Sequence, residues 1–182
     1  MSDHDRLVHL LRTLSVRRGT FTLASGAVSD LYVDARQTTL HAEGASLVGD
    51  AIRARLDPQV VGVGGMTLGA DPIVTAVSVG SWGGAQPVHA FLIRKQPKGH
   101  GTARQVEGMA NFTAGDKVCV VEDTTTTGGS LIRAVQAARD AGLVVTQTIT
   151  VVDREEGAAE ALAAEGLVLE ALVTRTQLLD EA

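Results

Sequence analysis

Residues 118–130 carry the densest chemistry in the chain. An apolar run, Val118-Cys119-Val120-Val121, leads into Glu122 and Asp123, then Thr124, Thr125, Thr126 and Thr127, then Gly128-Gly129-Ser130. Glycine lets a backbone approach a ligand closely, and a helix opening at Gly128 would present unpaired N–H groups to an anion. Threonine hydroxyls add donors for phosphate oxygens. The two acids cannot bind that phosphate; they suit sugar hydroxyls or a metal ion. Together these groups ask for a phosphorylated sugar. The segment is not a P-loop, because it lacks Gly-Lys-Ser/Thr. A plain capped helix after a core strand is the simpler alternative, and it leaves the acid pair unexplained.

Three other segments add charge or glycine. The first, Arg94-Lys95-Gln96-Pro97-Lys98-Gly99-His100-Gly101-Thr102, lies in a stretch from Pro72 to Val106 that holds no Asp or Glu. Two of the chain's three lysines are in it. A solvated face usually mixes signs, so a single-sign patch in an acidic chain points to an anionic ligand. Pro97, Gly99 and Gly101 break any helix there, and such a loop can close on a diphosphate and exclude water. The second, Val151-Val152-Asp153-Arg154-Glu155-Glu156-Gly157, puts Arg154 at a strand end. Its planar fork suits a carboxylate, and a salt bridge to Glu155 or Glu156 is the alternative. The third, Gly62-Val63-Gly64-Gly65-Met66-Thr67-Leu68-Gly69-Ala70-Asp71, fails the dinucleotide spacing. It fits a diphosphate-binding turn built on the Gly64-Gly65 amides, or an ordinary strand–helix turn.

The elements that must hold these loops follow from periodicity. Leu7, Leu10, Leu11 and Leu14 predict a helix over 3–14, capped by Ser2 or Asp3. Alternation over 20–36 around Ser25-Gly26 predicts a hairpin. A helix is expected over 41–56. Then strands at 60–63, 89–94, 117–122, 144–152 and 167–173 alternate with helices reaching about Val79 and over 128–141 and 155–164. That alternation predicts an α/β fold with a mainly parallel sheet covered on both faces. In such sheets ligands bind beyond the carboxyl ends of the strands, where all four segments lie.

Composition bounds the rest. At 182 residues and 45% apolar, the chain fits one domain with a sizeable core. A net charge of −5 and 3% aromatic residues argue against a nucleic-acid partner. The single cysteine, Cys119, excludes an internal disulfide. No apolar run is long enough to span a membrane, and the acidic opening residues lack a signal-like apolar stretch. A cytoplasmic location is expected.

Glu122-Asp123 followed by Thr124 to Ser130 resembles the phosphoribosyl-diphosphate (PRPP) motif of type I phosphoribosyltransferases. Arg94-Lys95-x-x-Lys98-x-His100-Gly101 resembles the catalytic loop of the orotate phosphoribosyltransferase family in particular. Asp153-Arg154 and the N-terminal pieces Phe21 to Gly26 and Tyr32 to Arg36 are similar to the same family, so the resemblance runs from Phe21 to Gly157. It implies a single domain, residues 1–182, with a small N-terminal helix and hood over 1–40 and a PRPP-binding core over 41–182. It implies that Glu122 and Asp123 hold the ribose hydroxyls while Thr124, Thr125, Thr126, Thr127, Gly128, Gly129 and Ser130 hold the 5-phosphate. Arg94, Lys95, Lys98 and His100 would meet the diphosphate, and Lys98, Arg94, His100 and Asp123 are the expected catalytic set. Arg154, Thr126, Ser25, Gly26 and Tyr32 would surround orotate. Mg²⁺, bound mainly through PRPP, and a homodimer with shared active sites are further implications. Many family members carry a lysine where Ala24 stands and an aromatic-lysine pair where Thr67-Leu68 stands, so weaker diphosphate contacts are expected here. A transferase for another base and a non-catalytic PRPP-sensing regulator are the alternatives.

Overall fold

The computed structural model describes residues 1–22, 28–96 and 105–180. Its centre is a six-stranded sheet of order β5-β4-β3-β6-β7-β8, comprising β3 (Gly62–Met66), β4 (His89–Ile93), β5 (Val106–Glu107), β6 (Lys117–Thr125), β7 (Val144–Asp153) and β8 (Leu169–Thr174). All neighbours are parallel except β5, a short antiparallel edge on β4. The chain builds outward from β3 through β4, returns to the centre at β6, and builds the other way. The order therefore reverses between β3 and β6, where a crevice opens above the strand ends.

Both sheet faces are buried, and β6 shows how. Cys119 and Val121 pack with Leu47, Ile52, Ile73 and Val77 of α3 (Ala42–Arg53) and α4 (Asp71–Ser81). Val118 and Val120 pack with Leu131, Val135 and Leu162 of α5 (Gly129–Asp140) and α6 (Ala158–Ala164). Period-two alternation sends successive valines to opposite layers, which is why the strand reads as uninterrupted apolar sequence. Each full burial of such a side chain contributes about 1.5–3 kcal/mol.

Several elements depart from the sequence expectation. The N-terminal helix is α1 (Asp3–Leu10) with a Ser2 capping box, and it runs into a π-helical turn, Leu11–Ser15. The wider turn shifts the helical phase, so Leu14 faces solvent while Ser15 is buried beside Leu11. The hairpin is β1 (Val16–Thr22) with β2 (Val28–Val33), starting earlier than the alternation implied. Ser25 and Gly26 lie outside the described residues. A short helix α2 (Arg36–Thr39) follows, and a last helix α7 (Arg175–Leu179) was too brief to leave a periodic signal.

The third strand begins later than its valines suggested and takes in Gly64 and Gly65. These glycines are not the exposed turn expected for a diphosphate. A Cβ at Gly64 would stand 2.1 Å from the Phe91 ring, and one at Gly65 would stand 2.2 Å from the Val121 carbonyl oxygen. They are buried strand residues chosen for close packing, and the turn itself is shorter, Thr67 to Ala70. In the other direction, β6 runs three residues past its expected end, pairing with β7 as far as Thr125 opposite Asp153. Asp123, like Glu122, thus sits within the strand end rather than on a loop.

Candidate active site

The parallel strands β3, β4, β6 and β7 all end at one edge of the sheet, so the segments that follow them start there, as the sequence implied. Gly128 takes a left-handed conformation, φ 80°, and α5 starts at the next residue. A Cβ on Gly128 would also press to 3.1 Å from Leu162. This turn aims the first amides of α5 into a pocket of about 200 Å³ lined by residues 124–130 with Glu122 and Arg133. Helix N-terminal amides and aligned peptide dipoles favour an anion there. The Thr124 hydroxyl at the pocket is buried without a hydrogen-bond partner, as an oxygen awaiting a polar ligand would be.

Glu122 and Asp123 differ in setting, because adjacent strand residues point to opposite faces. Glu122 is buried, and its Oε2 has no hydrogen-bond partner. Burial, reinforced by the neighbouring Asp123 charge, pushes its pKa up to about 8, and Lys95 acts in the opposite direction. Asp123 is half-buried, accepts the Thr124 backbone N–H at 2.8 Å, and faces the β3–α4 turn. A Cβ at Gly69 would stand 2.6 Å from Asp123 Oδ1, so a larger residue there would displace the acid.

The cationic residues are held in different ways. Arg94 donates from Nε to Glu107 at 2.7 Å, so the β5 edge strand, absent from the sequence reading, restrains it. Lys95 is exposed. Lys98 and His100 lie outside the described residues. Arg154 is buried at the end of β7, its backbone N–H donating to Thr125 and its Nη2 meeting Glu156 at 2.7 Å. The β7 pairing therefore fixes Arg154 beside Thr125 and Thr126, while its ion pair is one that the sequence allowed. Tyr32 is partly exposed and packs on Phe21 with ring centroids 5.5 Å apart.

Two residues escaped the sequence reading. Arg133 lies one helical turn beyond Ser130, donates to its hydroxyl at 3.0 Å, and lines the same pocket. The i, i+3 spacing from Ser130 was the available signal. Arg36, at the base of the hood, donates from Nε to Asp34 at 2.7 Å. Among the described residues no group of three or more His, Cys, Asp or Glu could hold a metal ion, and no helix is long and apolar enough to cross a membrane.

No family model matches the sequence. A Rhodopseudomonas palustris protein named orotate phosphoribosyltransferase is 44% identical over 178 residues, covering 96% of this chain and 95% of that one. A Corynebacterium glutamicum protein of the same name is 46% identical over 92% of this chain and 89% of its own. The chain belongs to the orotate phosphoribosyltransferase family. The crystal structure of the Mycobacterium tuberculosis orotate phosphoribosyltransferase in complex with PRPP superposes with a TM-score of 0.78 at 40% identity, covering 97% of this chain and 99% of that one. Family membership matches the α/β fold with its mainly parallel sheet and N-terminal hood.

Proposed function

We propose that the protein transfers the phosphoribosyl group of PRPP to orotate, giving orotidine 5'-phosphate and diphosphate in pyrimidine biosynthesis. The observation that carries this reading is the anion pocket at the start of α5 beside the Glu122-Asp123 pair, in a chain of this family. The 5-phosphate would lie on the α5 amides and the hydroxyls of Thr124 to Thr127 and Ser130. The ribose hydroxyls would meet Asp123 and Glu122. Orotate would lie under the hood at Tyr32, Ser25 and Gly26, near Thr126, with Arg154 at its carboxylate.

The reaction forms a bond from orotate N1 to ribose C1 while the C1–oxygen bond to diphosphate breaks. The electron pair leaves with the diphosphate, which also takes up the proton that N1 gives up. As the bond breaks, C1 gains positive charge and the departing oxygens gain negative charge. Positioning and electrostatics therefore supply most of the acceleration. The Asp123 carboxylate tolerates charge near C1, and Lys98, with Arg94, Lys95 and His100, stabilises the leaving diphosphate.

Mg²⁺ fits this site bound mainly through PRPP, with the acid pair beside it. The described residues offer an acid pair but no cage, and Mg²⁺ is commonly held by substrate phosphates with few protein carboxylates. When bound it would neutralise and polarise diphosphate oxygens. We also read the protein as a cytoplasmic homodimer. Val79 and Trp82, both strongly exposed at the end of α4, give such a dimer apolar surface to bury.

The test follows orotate consumption by ultraviolet absorbance with PRPP and Mg²⁺, alongside adenine, hypoxanthine, xanthine and uracil. Turnover of orotate alone is expected. Turnover of a different base, or PRPP binding without turnover, would overturn the reading.

A further inference from the structure

Arg36 stands where the hood meets the core, and its surroundings fix it tightly. It opens α2, which packs against the π-helical turn, α3 and α4. The Asp34 backbone N–H donates to Ser15 O at 2.9 Å, and the Ser15 and Thr38 hydroxyls are hydrogen-bonded at 2.7 Å in a buried pair. Gly44 brings α3 against this helix so closely that a Cβ there would stand 2.2 Å from the Thr38 carbonyl oxygen. From that seat Asp34 grips the Arg36 Nε at 2.7 Å, and Gln37 donates to the other Asp34 oxygen at 3.2 Å.

This clamp engages Nε alone. The Arg36 side chain stays 43% exposed, and its Nη groups make no hydrogen bond among the described residues. An arginine held by Nε with Nη open is a fork oriented for an anion. The short helix α2 that carries Arg36 packs against α4, the helix that opens just after Ala70, and Asp123 and Tyr32 lie near enough to act on the Arg36 charge.

The neighbouring turn lacks positive charge of its own. The β3–α4 turn, Thr67 to Ala70, contributes no cation and is bordered by Asp71 and Asp123. Asp71 Oδ1 is buried without a hydrogen-bond partner, and burial pushes that carboxyl's pKa up. A polyanion resting on this turn would meet carboxylates on both sides unless a cation stood over it. Arg36, on the helix packed against α4, is a cation on which Asp123 acts, whereas Lys95 acts on Glu122.

We infer that Arg36 is a diphosphate-binding residue, its Nη fork contacting the diphosphate arm of PRPP and of the diphosphate product over the Thr67–Ala70 turn. The inference rests on the PRPP-dependent activity set out above. It assigns to the hood an electrostatic task besides covering the base.

Calorimetric titration of the full-length protein separates the arms of the substrate. Wild type, Arg36→Gln and Arg36→Lys are each titrated with PRPP, inorganic diphosphate, ribose 5-phosphate and orotate. Arg36→Gln is expected to weaken PRPP and diphosphate by at least about tenfold and to leave ribose 5-phosphate within about twofold, with Arg36→Lys recovering part of the loss. Equal weakening of ribose 5-phosphate would mean a structural role, and loss confined to orotate would place Arg36 at the base; either overturns the inference. Unchanged diphosphate binding would do the same while leaving the transferase reading intact. Wild-type protein that binds neither PRPP nor diphosphate would remove both.

Discussion

The carboxyl ends of β6 and β4 stand two strands apart in the same sheet and prepare for anions by opposite means. Beyond β6 the ligand groups are mostly neutral: amides at the start of α5, threonine hydroxyls and Ser130, with Arg133 at the rim. They are fixed by a left-handed Gly128, a packed helix and a strand paired through Thr125. Beyond β4 the groups are full charges on long side chains, Arg94 tethered to Glu107 and Lys95 exposed. A group that is retained through the reaction suits a rigid cradle of dipoles. A group that departs with growing negative charge suits cations that respond to it. On the proposed binding mode, one substrate's two phosphate ends would be held by geometry at one end and by charge at the other.

Lys98→Ala should sharpen this division most. We expect kcat to fall at least about tenfold, with the melting temperature unchanged and ribose 5-phosphate binding retained. Steady-state kinetics and calorimetry check it, and wild-type turnover would remove the lysine from the charged end.

Gly128→Ala attacks the geometric end instead. Placing a Cβ at φ 80° costs about 1–2 kcal/mol, and contact with Leu162 adds to that. Stability should drop by that amount, and ribose 5-phosphate affinity should fall more than diphosphate affinity. Equal loss of both ligands would show that the two ends are not separable.

Glu122 offers a test in pH. Its folded pKa, about 8, lies above the ordinary value of 4.5, so between those limits the folded state holds more protons than the unfolded one. Stability then falls as pH rises through that window. Glu122→Gln should therefore gain stability relative to wild type from pH 5 to pH 8, by at least about 1 kcal/mol, or roughly 2–4 °C in melting temperature. A difference that stays flat with pH would show that Glu122 is not held neutral in the free protein.

The smallest effects concern the rim and the solvent. Arg133→Ala should weaken ribose 5-phosphate by about threefold, in line with a partly exposed charge at a helix start, without changing stability. Raising salt should weaken diphosphate binding more steeply than ribose 5-phosphate binding, because exposed charges are screened and buried dipoles are not. Parallel salt slopes would erase the contrast between the two strand ends.

The sequence by itself determined the layered α/β fold, the alternation of its parallel strands with their helices, and the strand-end placement of Glu122-Asp123, the threonine run, Arg94-Lys95 and Arg154. These rest on local rules: apolar runs of strand length, helical periodicity, and glycines where an anion-binding helix opens. It misread features whose cause lies across the sheet. Gly64 and Gly65 looked like an exposed turn but are buried because Phe91 and the Val121 backbone approach them. Leu14 looked like core but faces solvent because a π-helical turn changes the phase. Asp123 lay beyond the expected end of its strand, but pairing with β7 carries the strand through Thr125 and leaves Asp123 against Gly69, with Glu122 buried. Only the tertiary structure decided these points, along with the Arg36 clamp. Burial, close approach and electrostatic coupling depend on residues distant in sequence that folding brings together.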